Sequence, residues 1–101
     1  MPHSKMSKVM KGQWAEFTAA AWLVTKGYLI YPKHQDNDPI DLVAVHRNTG
    51  KTLKIDVKSE SYRKTWKPGT RIPRALTLEQ RKLKMKFIFV DKDGTCTVRP
   101  R

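Results

Sequence analysis

Two carboxylates and an ammonium interrupt an otherwise apolar stretch of the chain. Asp41 lies at the mouth of one apolar run, and Asp56 and Lys58 alternate with Ile55 and Val57 in the next. A buried charge costs several kcal/mol unless it is paired or holds an ion. Two carboxylates would repel a phosphodiester, but Mg²⁺ held between them would polarise a phosphoryl oxygen and lower the pKa of a bound water. The residue types therefore point to phosphodiester hydrolysis.

The turn between the two runs decides whether these groups meet. A four-residue loop over residues 48–51 predicts Asp41 opposite Lys58 and Val43 opposite Asp56. The two carboxylates then become diagonal neighbours on one face, roughly 7–8 Å apart at the backbone, and Lys58 can orient a water. A three-residue loop without a bulge would move Asp41 to the other face. A solvent-facing strand with a simple Asp–Lys pair is the structural alternative.

An N-terminal helix is predicted upstream of this hairpin. Ser7 can cap its start, and Gly27 ends it after about Lys26. The helix is apolar nearly all round, so it should be deeply buried or have a second apolar partner. Its apolar residues form one stripe of Phe17, Ala20, Ala21 and Val24, with Trp14 and Trp22 off that stripe.

The remaining pattern completes a single domain over residues 1–101. Strands are predicted over residues 28–32, 40–47 and 52–59 from their apolar and alternating patterns. Thr77 and Gln80 form a capping-box pattern that opens a second helix to about Lys84, and a hairpin turning at residues 91–94 follows. The fold class is α/β, with a mixed sheet of about five strands flanked by an N-terminal helix and a shorter second helix.

These motifs resemble a known superfamily. Pro39-Ile40-Asp41 followed by Asp56-Val57-Lys58 resembles the PD-(D/E)XK nuclease motif. The upstream segment KGQWAEFTAAAWLVTKGY resembles the G-x-x-x-E helix of archaeal-type Holliday junction resolvases and related small phage and homing endonucleases. The resemblance covers residues 11 to about 90 and implies a restriction-endonuclease-like fold. The chain departs from the resolvases where Asp56 replaces their usual Glu, and the segment over residues 60–76 does not align.

The resemblance also implies roles for individual residues. Asp41, Asp56 and the Val57 carbonyl would bind Mg²⁺, with Mn²⁺ as an expected substitute. Lys58 would be the catalytic lysine, and Glu16 would reach the site directly or through a water. The implied activity is Mg²⁺-dependent hydrolysis of DNA, with resolution of Holliday junctions or other branched DNA as the leading task. Symmetric cutting of two strands requires two sites, so a homodimer is expected, and an exposed Trp14 or Trp22 would suit its interface.

The charge of the chain indicates a polyanionic partner. Lys and Arg number 21 against nine Asp and Glu, which gives a net charge of +12. A basic loop is predicted over residues 60–76, where basic side chains would contact phosphates and Trp66 would either stack on unpaired bases or pack locally. The expected DNA-binding residues are Lys11, Arg63, Lys64, Trp66, Lys67, Arg71 and Arg74.

Several other classes of protein fit the sequence less well. The single Cys96 excludes a disulfide framework, no apolar run reaches about 18 residues, and the N-terminus lacks a secretory h-region. We therefore expect a cytoplasmic protein of a prokaryotic cell or phage-infected host, with no membrane partner and no small-molecule cofactor. The alternatives are a nicking, restriction-like or homing endonuclease, a non-catalytic nucleic-acid-binding module, and a basic assembly protein that leaves the carboxylates unexplained.

Overall fold

The computed structural model describes residues 5–33, 38–59 and 77–100, which form two helices and a five-stranded sheet. The strands lie in the order β1-β2-β3-β4-β5, with β3 and β4 parallel and the other neighbours antiparallel. This arrangement confirms the predicted α/β class with a mixed sheet, an N-terminal helix and a shorter second helix. The elements are α1 (Lys8–Thr25), β1 (Tyr28–Pro32), β2 (Leu42–His46), β3 (Thr52–Ser59), α2 (Leu78–Lys82), β4 (Lys86–Val90) and β5 (Cys96–Arg99).

Helix α1 begins and ends where its sequence predicts. The Ser7 hydroxyl accepts a hydrogen bond from the Met10 N–H, which satisfies one of the free donors of the first turn. Gly27 follows the C-cap with φ of 90°, a conformation that glycine adopts without strain. A Cβ at Gly27 would also lie 3.1 Å from Nε2 of His46, so the glycine allows the turn into β1 to pack against β2.

The buried face of α1 differs from the predicted stripe. Ala15, Ala19 and Leu23 are at most 1% exposed, and the two alanines allow the helix to approach the sheet closely. Phe17 and Val24 of the predicted stripe are exposed, at 74% and 59%. Trp14 and Trp22 pack partly buried against the core, so neither is the freely exposed tryptophan that was expected at a dimer interface. The side chains of the sheet in this core are Leu42, Ala44, Leu53, Ile55, Val57, Ile88 and Val90.

The register of β2 on β3 corrects the predicted hairpin by two residues. Val43 pairs with Lys54 instead of Asp56, and the ladder begins at Leu42 with Ile55. The turn still spans four residues, but it lies one residue earlier, over residues 47–50, because the His46 N–H donates to the Lys51 carbonyl and pairs these two residues. A shift of two residues preserves the face of every side chain, so the predicted site is moved along β3 and is not lost.

Helix α2 lies against the sheet face opposite α1. The Lys54 ammonium reaches the Leu83 carbonyl beyond the end of α2, at 3.5 Å. Because side chains alternate along a strand, Lys54 points away from the face that carries Leu53 and Ile55. Among the described residues, no helix is long and apolar enough to cross a membrane.

Candidate functional site

A gap in the sheet forms where β2 ends and β3 continues. Residues Thr52–Ile55 of β3 pair with β2, whereas the stretch from Ile55 to Ser59 pairs with β4. Among the described residues, no strand therefore covers the β2-facing edge of β3 beyond Ile55. The Asp41 N–H donates to the Ile55 carbonyl at 2.8 Å, which places Asp41 at the mouth of this gap.

Asp41 fills the gap with its side chain. Its Oδ2 accepts a hydrogen bond from the Val57 N–H at 2.8 Å, so the carboxylate takes the place that a β2 carbonyl would occupy. In a strand, the N–H and C=O of one residue point to the same side. The Val57 carbonyl therefore faces the same gap as Asp41.

Asp56 lies beside Asp41 and is more deeply buried. The side chains of the two aspartates are hydrogen-bonded to each other, which is a closer contact than the predicted diagonal arrangement. Asp56 is 6% exposed, and its Oδ2 accepts a hydrogen bond from Nε2 of Gln80 at 2.6 Å. On the other side, Phe87 of β4 is paired with Asp56 and is also buried.

A lysine flanks each carboxylate. The Lys58 ammonium lies 3.6 Å from Oδ1 of Asp56, and 41% of the Lys58 side chain is exposed. The Lys33 ammonium lies 3.9 Å from Oδ1 of Asp41. The Lys33 N–H also donates to the Asp41 carbonyl at 3.0 Å, which holds the end of β1 at the site.

The closeness of the two carboxylates changes the acidity of Asp41. Burial is the largest cause that raises the pKa of Asp41, to about 6, followed by a hydrogen bond with the Asp56 side chain. The Val57 N–H acts in the opposite direction, while the charges of Asp56 and Glu16 add to the rise. Such a pair gains from a cation that neutralises the repulsion.

Glu16 lies half-buried on α1 and affects Asp41 through its charge. Among the described residues, no group of three or more His, Cys, Asp or Glu side chains is close enough to hold a metal ion. The structure thus brings Asp41 and Asp56 together, and Glu16 acts on Asp41 through its charge. The role of Glu16 as a metal ligand, directly or through a water, stays a prediction.

The predicted DNA-binding residues are only partly described. Lys11 is half-buried near the start of α1. The others lie in residues 60–76, outside the described residues: Arg63, Lys64, Trp66, Lys67, Arg71 and Arg74. Their role in binding DNA stays a prediction.

Sequence reasoning missed two residues at the site, Gln80 and Lys33. Gln80 was recognised only as part of a capping box, and the box is present, with Thr77 and Gln80 bonded in both directions. Its second bond, to Asp56, depends on how α2 packs against the sheet. One feature of the sequence could have pointed to Lys33. It lies directly after a predicted strand and ahead of the motif that contains Asp41.

Comparison with known proteins identifies the fold. No protein-family model matches the sequence, and no curated protein matches it. The structure is similar to that of a bacterial homing endonuclease, I-Ssp6803I, with a TM-score of 0.68. The two sequences are 18% identical, and the match covers 94% of this chain and 70% of that one. At this identity the similarity establishes a shared fold.

Proposed function

We propose that the protein is a Mg²⁺-dependent endonuclease that hydrolyses phosphodiester bonds of DNA. The observation that carries this proposal is the pair of adjacent carboxylates, Asp41 and Asp56, in the gap beside β3, with Lys58 at 3.6 Å from Asp56. The fold shared with a homing endonuclease and the net charge of +12 support it.

The donor set of the site fits a hard divalent cation. Asp41, Asp56 and the Val57 carbonyl would supply oxygen ligands, and Glu16 would act directly or through a water. The raised pKa of Asp41, about 6, is what two adjacent carboxylates without a cation should show. When bound, Mg²⁺ would neutralise charge on the phosphodiester and activate a water for attack.

Lys58 would act on the reacting groups. Its ammonium is anchored beside Asp56 yet remains 41% exposed, so it can reach a phosphate that enters from solvent. There it would orient the attacking water and stabilise the negative charge that develops in the transition state. Lys33 provides a second positive charge at the opposite end of the carboxylate pair.

Branched DNA is the first candidate substrate. The helix and strand motifs resemble those of Holliday junction resolvases. Cutting a junction symmetrically requires two sites, so we propose a homodimer. Such an enzyme would act in the cytoplasm of a prokaryotic cell or phage-infected host.

Duplex DNA is the second candidate, in the manner of a nicking, restriction-like or homing enzyme. The specific observation in its favour is the structural similarity to I-Ssp6803I, described as a homing endonuclease. The two candidates make different predictions about which DNA is cut when both are offered together.

One experiment separates these candidates from a non-catalytic role. The protein is incubated with four-way junction, nicked, single-stranded and linear duplex DNA, each with Mg²⁺ or with EDTA. Preferential cleavage of the junction with Mg²⁺ supports the resolvase, whereas cleavage of the duplex at defined positions supports the second candidate. Binding without cleavage of any DNA would contradict the endonuclease proposal.

A further inference from the structure

Gln80 bonds to two parts of the structure at once. Its Oε1 accepts from the Thr77 N–H and its own N–H donates to Oγ1 of Thr77, both at 3.1 Å. Its Nε2 donates to Oδ2 of Asp56 at 2.6 Å, and the residue is 7% exposed. A capping box works with either Glu or Gln at this position, but only Gln carries a donor for Asp56. Gln at position 80 therefore donates to the Asp56 carboxylate in addition to capping the helix.

The capping box also fixes which way the amide points. Because Oε1 is occupied by the Thr77 N–H, the amide nitrogen must face Asp56. The donor is held by a helix terminus and is buried, so it costs little entropy to keep in place. Asp56 thus has one oxygen occupied by a fixed hydrogen bond.

Asp41 repeats this arrangement with a backbone donor. Its Oδ2 is occupied by the Val57 N–H, and its Oδ1 faces the Lys33 ammonium. In Asp56, Oδ2 is occupied by Gln80 and Oδ1 faces the Lys58 ammonium. Each carboxylate therefore has one oxygen engaged by a short hydrogen bond and the other turned toward a positive charge.

We infer that Gln80 is a positioning residue that limits Asp56 to a single ligand oxygen and so favours Mg²⁺ over Ca²⁺. Mg²⁺ takes one or two carboxylate oxygens and keeps several waters, whereas Ca²⁺ takes six to eight ligands and accepts carboxylates through both oxygens. A site in which each carboxylate offers one oxygen suits the smaller ion. This inference rests on the proposed function, because it concerns the same site.

The test compares ion affinities in the absence of DNA. The Val57 amide resonance is followed by NMR while Mg²⁺ or Ca²⁺ is added to the wild type, to Gln80→Met and to Thr77→Ala. Gln80→Met keeps the length of the side chain and removes the donor, whereas Thr77→Ala weakens the same helix cap and keeps the amide. In Gln80→Met we expect Mg²⁺ affinity to fall by about 10- to 100-fold, as for other changes to groups that orient metal ligands, and Ca²⁺ affinity to fall less. Thr77→Ala should keep the wild-type ratio of the two affinities.

A second measurement needs no substitution at Gln80. In the wild type, the side-chain amide resonances of Gln80 should stay shifted and protected from solvent exchange when Mg²⁺ saturates the protein. Their collapse to solvent-exposed values on binding Mg²⁺ would show that Asp56 releases Gln80 to bind with both oxygens, which overturns the inference. This measurement tests whether Gln80 stays bonded to Asp56 even if Gln80→Met does not fold.

The outcomes separate the inference from the function that it extends. If the wild type binds neither ion, the metal site itself is absent and both proposals fail. If the wild type binds Mg²⁺ but Gln80→Met keeps the same ratio of Mg²⁺ to Ca²⁺ affinity, the inference fails and the endonuclease proposal stands. A change of that ratio in Gln80→Met alone supports the inference.

Discussion

The two faces of β3 are used for opposite purposes. Leu53, Ile55 and Val57 are buried against α1 and the neighbouring strands. On the other face, Asp56 is buried beneath the five-residue helix α2, but 41% of the Lys58 side chain remains exposed. One strand thus contributes alternately to stability and to the candidate site, because its side chains point in turn to each face. Substitutions on the two faces should therefore have different consequences.

The largest loss of stability is expected on the face covered by α1. Ile88 is fully buried there, and Ile88→Ala should lower the free energy of unfolding by about 2–5 kcal/mol through lost burial and the cavity that remains. Val45→Ala, on the opposite face of β2 and half-buried, should cost about 1 kcal/mol or less. Urea unfolding measures both, and equal losses would contradict the assignment of the main core to the α1 side.

The largest loss of activity is expected on the other face. Lys58→Met keeps the apolar stem and removes the charge, so cleavage of DNA should fall by ~10²-fold or more at saturating Mg²⁺ with binding little changed. Lys54→Met is the matched control, because Lys54 lies four residues earlier on the same face and bonds to the Leu83 carbonyl. If Lys58→Met cleaves at nearly the wild-type rate, Lys58 is only a counter-ion for Asp56.

In the absence of metal, the pair of carboxylates should have a smaller effect, on the free energy of unfolding. The pKa of Asp41, about 6, is higher than its ordinary value of 3.8, so the folded state binds more protons than the unfolded state between these values. The protein should therefore lose stability as the pH rises from about 4 to about 6. Asp41→Asn removes this loss and can still accept the Val57 N–H, so above pH 7 it should be more stable than the wild type by on the order of 1–3 kcal/mol.

Urea unfolding in EDTA at several pH values checks this prediction. The difference between Asp41→Asn and the wild type should disappear below about pH 4, where both forms are neutral at this position. Asp93→Asn, in the exposed β4–β5 turn, serves as the control and should change stability little at any pH. A wild-type stability that does not change between pH 4 and pH 7 would show that the carboxylates do not interact as described.

The smallest effect per substituted residue, on the affinity for DNA, is expected in the predicted basic loop, residues 60–76. Replacing Lys64, Lys67 and Arg71 by Ala should weaken binding to all forms of DNA. The slope of log affinity against log salt should decrease by up to ~0.9 for each phosphate contact removed. Lys51→Ala, at the end of the β2–β3 hairpin away from Asp41, should leave the slope unchanged. An unchanged slope in the triple variant would show that these residues do not contact the backbone of DNA.

Local signals in the sequence predicted most of the elements. The alternation of residues 52–59 gave β3, and Ser7, Gly27 and the Thr77–Gln80 capping box gave the helix termini. Each of these signals depends on contacts between residues only a few positions apart, which a sequence pattern records directly.

Features that depend on tertiary contacts were predicted less well. The hairpin register was wrong by two residues because the four-residue turn lies one residue earlier than predicted, where Nδ1 of His46 accepts the N–H groups of Asn48 and Thr49. The buried face of α1 was wrong because close packing of Ala15 and Ala19 on the sheet outweighs the larger apolar area of Phe17. These choices depend on the shape of the partner surface, which hydrophobicity alone does not encode.

Single-turnover cleavage by Asp56→Asn tests the central claim most directly. The variant removes one charge from the carboxylate pair and keeps the shape of the side chain, so binding of DNA should hold or increase as a negative charge near the phosphate is lost. With saturating Mg²⁺ and the DNA that the wild type cuts best, we predict a rate at least ~10²-fold below that of the wild type. A cleavage rate near that of the wild type would show that Asp41 and Asp56 do not form the active site.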